Sequence, residues 1–214
     1  MAPPYGHTED GFETQFGTCH IGHFYLFQLL KSTLLKSSTS TFNSRVISVS
    51  SRGHRIGSVR LDSGFDWPDA GSYNRWLSYG QAKTANIWFA NELDRRYGSK
   101  GLHGIPIHPG GASTGLRVNL TEEEKKAWDT PEIRAYMKNA EQGAATTVYA
   151  AVSAEWEGKG GRYLADCVEM KAFREELGND PGFADDGYAK WAYDPEGEKK
   201  LWTESARLVG MADD

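Results

Sequence analysis

Cysteine is nearly absent. Cys19 and Cys167 are the two in 214 residues, far apart and in no metal-ligand spacing, which excludes a disulfide framework or a zinc site and fits a reducing compartment, the cytoplasm being expected. Every apolar run is broken well before membrane-spanning length. The N-terminal Met1-Ala2-Pro3-Pro4-Tyr5-Gly6 also lacks the basic region and apolar stretch of a secretory signal, so no membrane span is expected. Lysine-arginine clusters are missing too. With 24 basic against 29 acidic residues the net charge is -5, and a nucleic-acid backbone is not an expected partner. Without a secretory signal, the glycosylation pattern Asn119-Leu120-Thr121 reads as chance. There is no internal repeat and no heptad run. What remains is 39% hydrophobic and 12% aromatic under a mean hydropathy of -0.59, the composition of one soluble globular domain over 1–214.

From Thr8, a candidate N-cap, Phe12, Phe16, Cys19, His23, Phe27, Leu30 and Leu34 recur at spacings of 4, 3, 4, 4, 3 and 4, which predicts a long helix ended by the serine-threonine run 37–44. The β-branched run 45–51 predicts a buried strand. A polar, glycine-containing loop to about Asn74 leads to a second helix, with Ala82, Ala85, Phe89 and Leu93 on one face and Gly98 as a left-handed cap. Residues 104–108 predict a second strand, weakened by Pro106, and 161–165 a third. Residues 141–154 predict an alanine-rich helix, 195–209 a last helix opened by proline, and 116–139 a mobile, charged segment. Alternating helices and strands imply an α/β fold with a parallel sheet.

Tyr79 and Lys83 stand four residues apart on one helix face. A neighbouring ammonium favours the ionised phenol and draws a tyrosine from about 10 towards neutrality, where it can exchange protons. Alone the pair is a weak signal, since the same spacing occurs on many helix surfaces. It stands, however, in an ordered set: Phe16-Gly17-Thr18-Cys19-His20-Ile21-Gly22-His23-Phe24, then Val46-Ile47-Ser48-Val49-Ser50-Ser51, then Tyr79-Gly80-Gln81-Ala82-Lys83. His108-Pro109-Gly110-Gly111-Ala112-Ser113-Thr114 and Gly143-Ala144-Ala145 follow.

In this order the chain resembles the short-chain dehydrogenase/reductase family, and within it the retinol-dehydrogenase-like branch, from Met1 to about Cys167. The resemblance implies a partial Rossmann-like, doubly wound parallel sheet without its N-terminal strands, and an oxidoreductase transferring hydride between NADP(H), or NAD(H), and a carbonyl or alcohol. Tyr79 would exchange a proton with the substrate oxygen, and Ser51 would hydrogen-bond that oxygen. Lys83 would lower the Tyr79 pKa and hold the nicotinamide ribose, with Tyr79 beside it. Pro109, Gly110 and Thr114 would contact the carboxamide. The implied substrate is a small hydrophobic alcohol, ketone or aldehyde, with 116–139 as its lid; a homo-oligomer is left open.

Two departures stand out. Cys19 occupies the asparagine position of the family's catalytic tetrad, and a thiol offers one weak donor and a weak acceptor where an amide offers two donors and an acceptor. The side chain is expected to pack as a small hydrophobe. No glycine-rich turn joins a first strand to a first helix, as the dinucleotide pyrophosphate requires, so Met1 reads as an internal methionine of a longer protein. The competing functional reading is a catalytically silent pseudo-enzyme acting as a binding partner. Gly111-Ala112-Ser113-Thr114-Gly115 fits a hydrolase nucleophile elbow, but all six histidines precede Ser113, against that fold's order. His20 and His23 have no accompanying carboxylate or cysteine set, and no metal is expected.

Overall fold

The computed structural model describes residues 1–173 and 187–213. Three parallel strands, β1 (Ser44–Val49), β2 (Leu102–His108) and β3 (Leu164–Ala165), are continued by β4 (Val168–Glu169), antiparallel to β3, in the order β1-β2-β3-β4. Pro106 is tolerated in the middle strand for a local reason. Ile107 accepts from Ser50 N–H on the β1 side, whereas the Gly104 carbonyl accepts from Gly161 on the other side. Alternate residues face alternate neighbours, so the nitrogen of Pro106 lies on the side where β3 pairs only from Ile107 onward.

Helices cover both faces. Successive residues of β1 point opposite ways, so Val46 joins Phe24, Phe27, Phe89, Leu93 and Trp202 while Ile47 joins Ile105, Ile107, Ala150 and Leu164. The first cluster is supplied by α2 (Gly22–Ser37), α3 (Arg75–Tyr97) and α7 (Pro195–Leu208), the second by α6 (Ala140–Val152). The alternating elements predicted the parallel sheet, and the doubly wound, Rossmann-like arrangement is the one the family resemblance implied. Glu198 on α7 is buried and accepts from Arg95 and from Asn91 Nδ2 (2.8 Å), which fastens α7 to α3.

The first helical segment departs from the expected single helix. Gly11 takes φ 84°, so Thr8 closes a turn rather than capping a helix, and Glu13 accepts from Gln15 and Phe16 N–H to start α1 (Thr14–Phe16). A π-helical turn over Gly17–Ile21 then inserts an extra residue before α2. That insertion rotates the buried stripe onto His20, Ile21, Phe24 and Phe27, so His23 and Leu30 are exposed and Cys19 is half-buried rather than packed in the core. At the end of α3, Gly98 stays right-handed at φ -56°, and Gly101 (φ 79°) makes the reversal into β2. The 116–139 stretch is also more ordered than expected. It holds α4 (Glu122–Ala127), opened by a Thr121/Glu124 capping box, and α5 (Pro131–Tyr136), started by Thr130.

Candidate active site

The carboxyl ends of β1, β2 and β3 lie at one edge of the sheet, because the strands are parallel. Ser51 follows β1 by two residues, and Pro109 follows β2 directly. Three side chains fix the exit of β1 against α3: Ser48 Oγ donates to the Asn86 carbonyl (2.8 Å), Ser50 Oγ to the Lys83 carbonyl (2.7 Å), and Asn86 Nδ2 to the Val49 carbonyl (3.0 Å). Asn74 caps α3 by accepting from Trp76 and Leu77 N–H, so Tyr79 lies in the second turn with Lys83 one turn further. Ser51 and Tyr79 thereby meet over Gly53, where a Cβ would stand 2.6 Å from Tyr79 Cε1 and 3.4 Å from Ser51 Oγ.

The Ser51 hydroxyl is oriented. Its oxygen accepts from Gly53 N–H at 3.0 Å, leaving the single O–H donor to point at Tyr79 or at an oxygen placed between them. Tyr79 is 5% exposed, and burial pushes its phenol up to about 12 against the Ser51 contact, which lowers it. Lys83 is not among the groups that shift it. Its ammonium donates to the Val49 carbonyl at 3.1 Å and sits 5.8 Å from the Tyr79 ring centroid, so the expected fall of the tyrosine towards neutrality is reversed by desolvation. The phenol holds its proton at neutral pH.

Cys19 lies in the π-helical turn, where a charge on its sulfur would raise the Tyr79 pKa. Pro109 and Gly110 turn away from β2 under Lys138, whose Nζ stands 2.5 Å from where a Cβ on Gly110 would lie and pairs with Asp166 beyond β3. The Lys138 backbone closes onto the same loop: its N–H donates to Gly111 and its carbonyl accepts from Ser113 (2.8 and 3.0 Å). Thr114 is exposed and accepts from Leu116 N–H at 3.3 Å. A separate cleft of about 600 Å3, lined by Asp94, Glu155, Trp156, Lys159, Arg162 and Glu169, includes none of these residues. Nor does it converge on a reactive pair.

Residues that sequence reasoning passed over also shape the site. A Cβ on Gly53 would fall 2.6 Å from Tyr79 Cε1 and 2.9 Å from Cδ1, so the bare glycine is the floor on which the tyrosine ring lies. Gly53→Ala is expected to destabilise the fold by about 1–3 kcal/mol through overpacking and to displace the phenol. A thermal melt and a turnover assay on the same sample check it; unchanged values in both would show that the ring yields freely. His54 entered the sequence reading only through its order in the chain, and His108 as the end of a strand and the start of a motif, with no role given to either ring. Both are buried, and both touch the backbone beside Ser51.

Parallel strands wound on both faces, with a serine, tyrosine and lysine at their carboxyl edge, define a Rossmann-like α/β protein. No protein-family model matches the chain. Short-chain dehydrogenase/reductase prx1 of Penicillium roqueforti is 48% identical over 214 residues, 100% of this chain and 61% of that protein. Human retinol dehydrogenase 14 is 37% identical over 210 residues, 97% of this chain and 55% of that protein. Among solved structures, an uncharacterised protein of Mycobacterium paratuberculosis superposes with a TM-score of 0.68 at 30% identity, over 100% of this chain and 65% of that one. The chain belongs to the short-chain dehydrogenase/reductase family. It spans about three fifths of the length of the curated relatives it matches first. Among the described residues no helix is long and apolar enough to cross a membrane, and no group of three or more His, Cys, Asp or Glu is arranged to hold a metal.

Proposed function

We propose that these residues form the proton-transfer half of an oxidoreductase that moves a hydride between NADP(H), or NAD(H), and a small hydrophobic carbonyl or alcohol. The observation that carries the reading is the Ser51 hydroxyl and the buried Tyr79 ring brought together over Gly53, with the Lys83 ammonium one helical turn along at 5.8 Å from that ring. The donor set fits the nicotinamide-ribose end of such a cofactor. Lys83 and the Tyr79 hydroxyl are suited to the ribose hydroxyls, and the turn at Pro109 and Gly110, with Thr114, to the carboxamide. When bound, the cofactor supplies or accepts the hydride.

The chain's own residues handle the oxygen and its proton. Ser51 donates a hydrogen bond to the carbonyl oxygen, and that bond strengthens as negative charge develops there. Tyr79, neutral because it is buried, transfers its phenolic proton to the same oxygen as the alcohol forms. In the reverse direction the phenolate takes the proton back. The segment 116–139, closed over the Pro109–Gly110 turn by Lys138 and Asp166, is placed to exclude water from a bound apolar substrate. The test is NADPH-dependent reduction of hydrophobic ketones and aldehydes by the natural polypeptide, and no turnover with either nucleotide would favour the binding-partner reading.

Cys19 offers a separate test. Cys19→Asn replaces a weak donor by an amide in the π-helical turn beside Tyr79. Turnover is expected to rise by about 1 kcal/mol of transition-state stabilisation, roughly five-fold, the value of one ordinary hydrogen bond. Steady-state kinetics check it, and an unchanged kcat would show that the thiol serves only in packing.

A further inference from the structure

The peptide group joining Ser51 to Arg52 is gripped from both sides by imidazoles. On one side His54 Nδ1 lies 2.6 Å from the Ser51 carbonyl oxygen; on the other, Arg52 N–H donates to His108 Nδ1 at 3.3 Å. The two rings come from different elements: His54 from the turn after β1, His108 from the last position of β2. Both rings are more than nine-tenths buried.

The partners fix the protons. Ala189 N–H donates to His54 Nε2 at 3.0 Å, and a backbone amide can only donate, so Nε2 carries the lone pair and the proton sits on Nδ1. His54 Nδ1–H therefore donates to the Ser51 carbonyl. In His108 the same logic runs the other way, because Nδ1 accepts from Arg52 and the proton of the neutral ring sits on Nε2. The two histidines are neutral in opposite tautomers, and burial agrees, holding them at about 4 and about 3. His54 is itself immobilised: its carbonyl accepts from Thr84 Oγ1 (3.1 Å) and Trp191 Nε1 (3.0 Å), and its ring packs against Tyr163 at 5.1 Å.

We propose that His54 and His108 are positioning residues that clamp the Ser51–Arg52 peptide plane in opposite tautomers and so aim the Ser51 hydroxyl at the substrate oxygen. The inference rests on the reading of Ser51 given above. A peptide plane held at both its C=O and its N–H cannot rotate about the bonds flanking it. Those rotations would swing Ser51 Oγ away from Tyr79 and break its contact with Gly53 N–H. The clamp also links the site to residues 189–192, which pack beneath it.

Two variants separate positioning from mere support. His54→Asn keeps an amide N–H two bonds from Cβ, where Nδ1 stood, and so retains the donor to Ser51. His54→Gln puts its amide three bonds out, where Nε2 stood, so it can accept from Ala189 but loses Ser51. In the natural polypeptide, kcat is expected to fall about 10²-fold in His54→Gln, the effect of a small misplacement at a reacting centre, and to stay within a few-fold in His54→Asn, with the cofactor KM unchanged in both. Equal losses in the two, or a larger loss in His54→Asn, would overturn the proposal. Imidazole 15N spectra of the wild type at neutral pH, assigned with these variants and His108→Gln, give a readout independent of turnover. The Nδ1–H form is expected for His54 and the Nε2–H form for His108; any other pair refutes the clamp. Should Tyr79→Phe retain full activity, the functional reading fails while the tautomer result still decides the clamp.

Discussion

Tyr79→Phe is expected to lower kcat for carbonyl reduction by 10²- to 10⁴-fold, the usual contribution of one general acid, with little change in KM. The substitution removes one oxygen from a ring packed over Gly53, so the helix, the turn after β1 and the core they share keep their contacts. Loss of rate can then be assigned to the proton. In this structure the phenol has been pushed up to about 12 by burial, so at neutral pH nearly every molecule holds the proton that reduction consumes. For alcohol oxidation the same burial is a handicap, because the phenolate must form first. The wild type is therefore expected to favour reduction near neutrality and to oxidise alcohols better as pH rises. Steady-state kinetics in both directions check this, and a Tyr79→Phe variant that turns over at the wild-type rate would remove Tyr79 from the mechanism. Ser51→Ala tests the partner. Losing one donor to the developing oxyanion is expected to cost about 10²- to 10³-fold, with Tyr79 in place.

The fold was legible because hydrophobic periodicity and chain order survive in any segment. The three parallel strands fall within a few residues of their expected bounds, and α3, α6 and α7 within two or three. What escaped was local and physical. A π-helical turn leaves no mark on a 3.6-residue pattern, since it adds one residue that the spacing of Phe16, Cys19 and His23 absorbs without contradiction. The buried stripe turned with it. The reversal at Gly101 in place of Gly98 was open to either glycine, because both follow the last apolar residue of α3. At the site, Ser51, Tyr79 and Lys83 were visible as residue types in order. The direction of the Tyr79 shift was not, because spacing reports which charge is near and says nothing of how much water has been removed. Gly53 and His54, two and three residues beyond Ser51, were available as a signal. A glycine and a histidine directly after a candidate serine suggest a turn in which backbone and imidazole come close.

A second large effect is expected in acid. His20, His54 and His108 are buried as neutral rings, held at about 3, about 4 and about 3 by loss of hydration. In the unfolded chain each would titrate near 6.5. Between that value and the folded ones, the unfolded state binds three protons that the native state refuses, so stability is whole above about pH 6.5 and falls as pH drops towards 4. Each ring contributes about 1.4 kcal/mol per pH unit, and the three together about 4. A drop from pH 6.5 to pH 5 thus removes on the order of 6 kcal/mol, which is comparable with the whole stability of an ordinary domain. The carboxylates act later. Glu124, Asp129 and Glu157 are held below their usual range by Arg75, Arg134 and the Asn43 N–H, and their contribution is lost only as pH falls through the carboxylate range. Acid unfolding is therefore expected near pH 5, a full unit or more above what those ion pairs alone would give. Denaturant titrations followed by the fluorescence of the seven tryptophans, repeated from pH 7.5 to 4.5, measure the slope directly. His20 supplies the control. Its Nε2 meets Ser205 Oγ at 2.8 Å between Phe16 and Phe24, so His20→Gln should reduce the slope by about one third. A free energy of unfolding that stays flat to pH 4.5 would mean that the three imidazoles take up protons in the folded protein. The two that grip the Ser51–Arg52 peptide could not then be neutral acceptors.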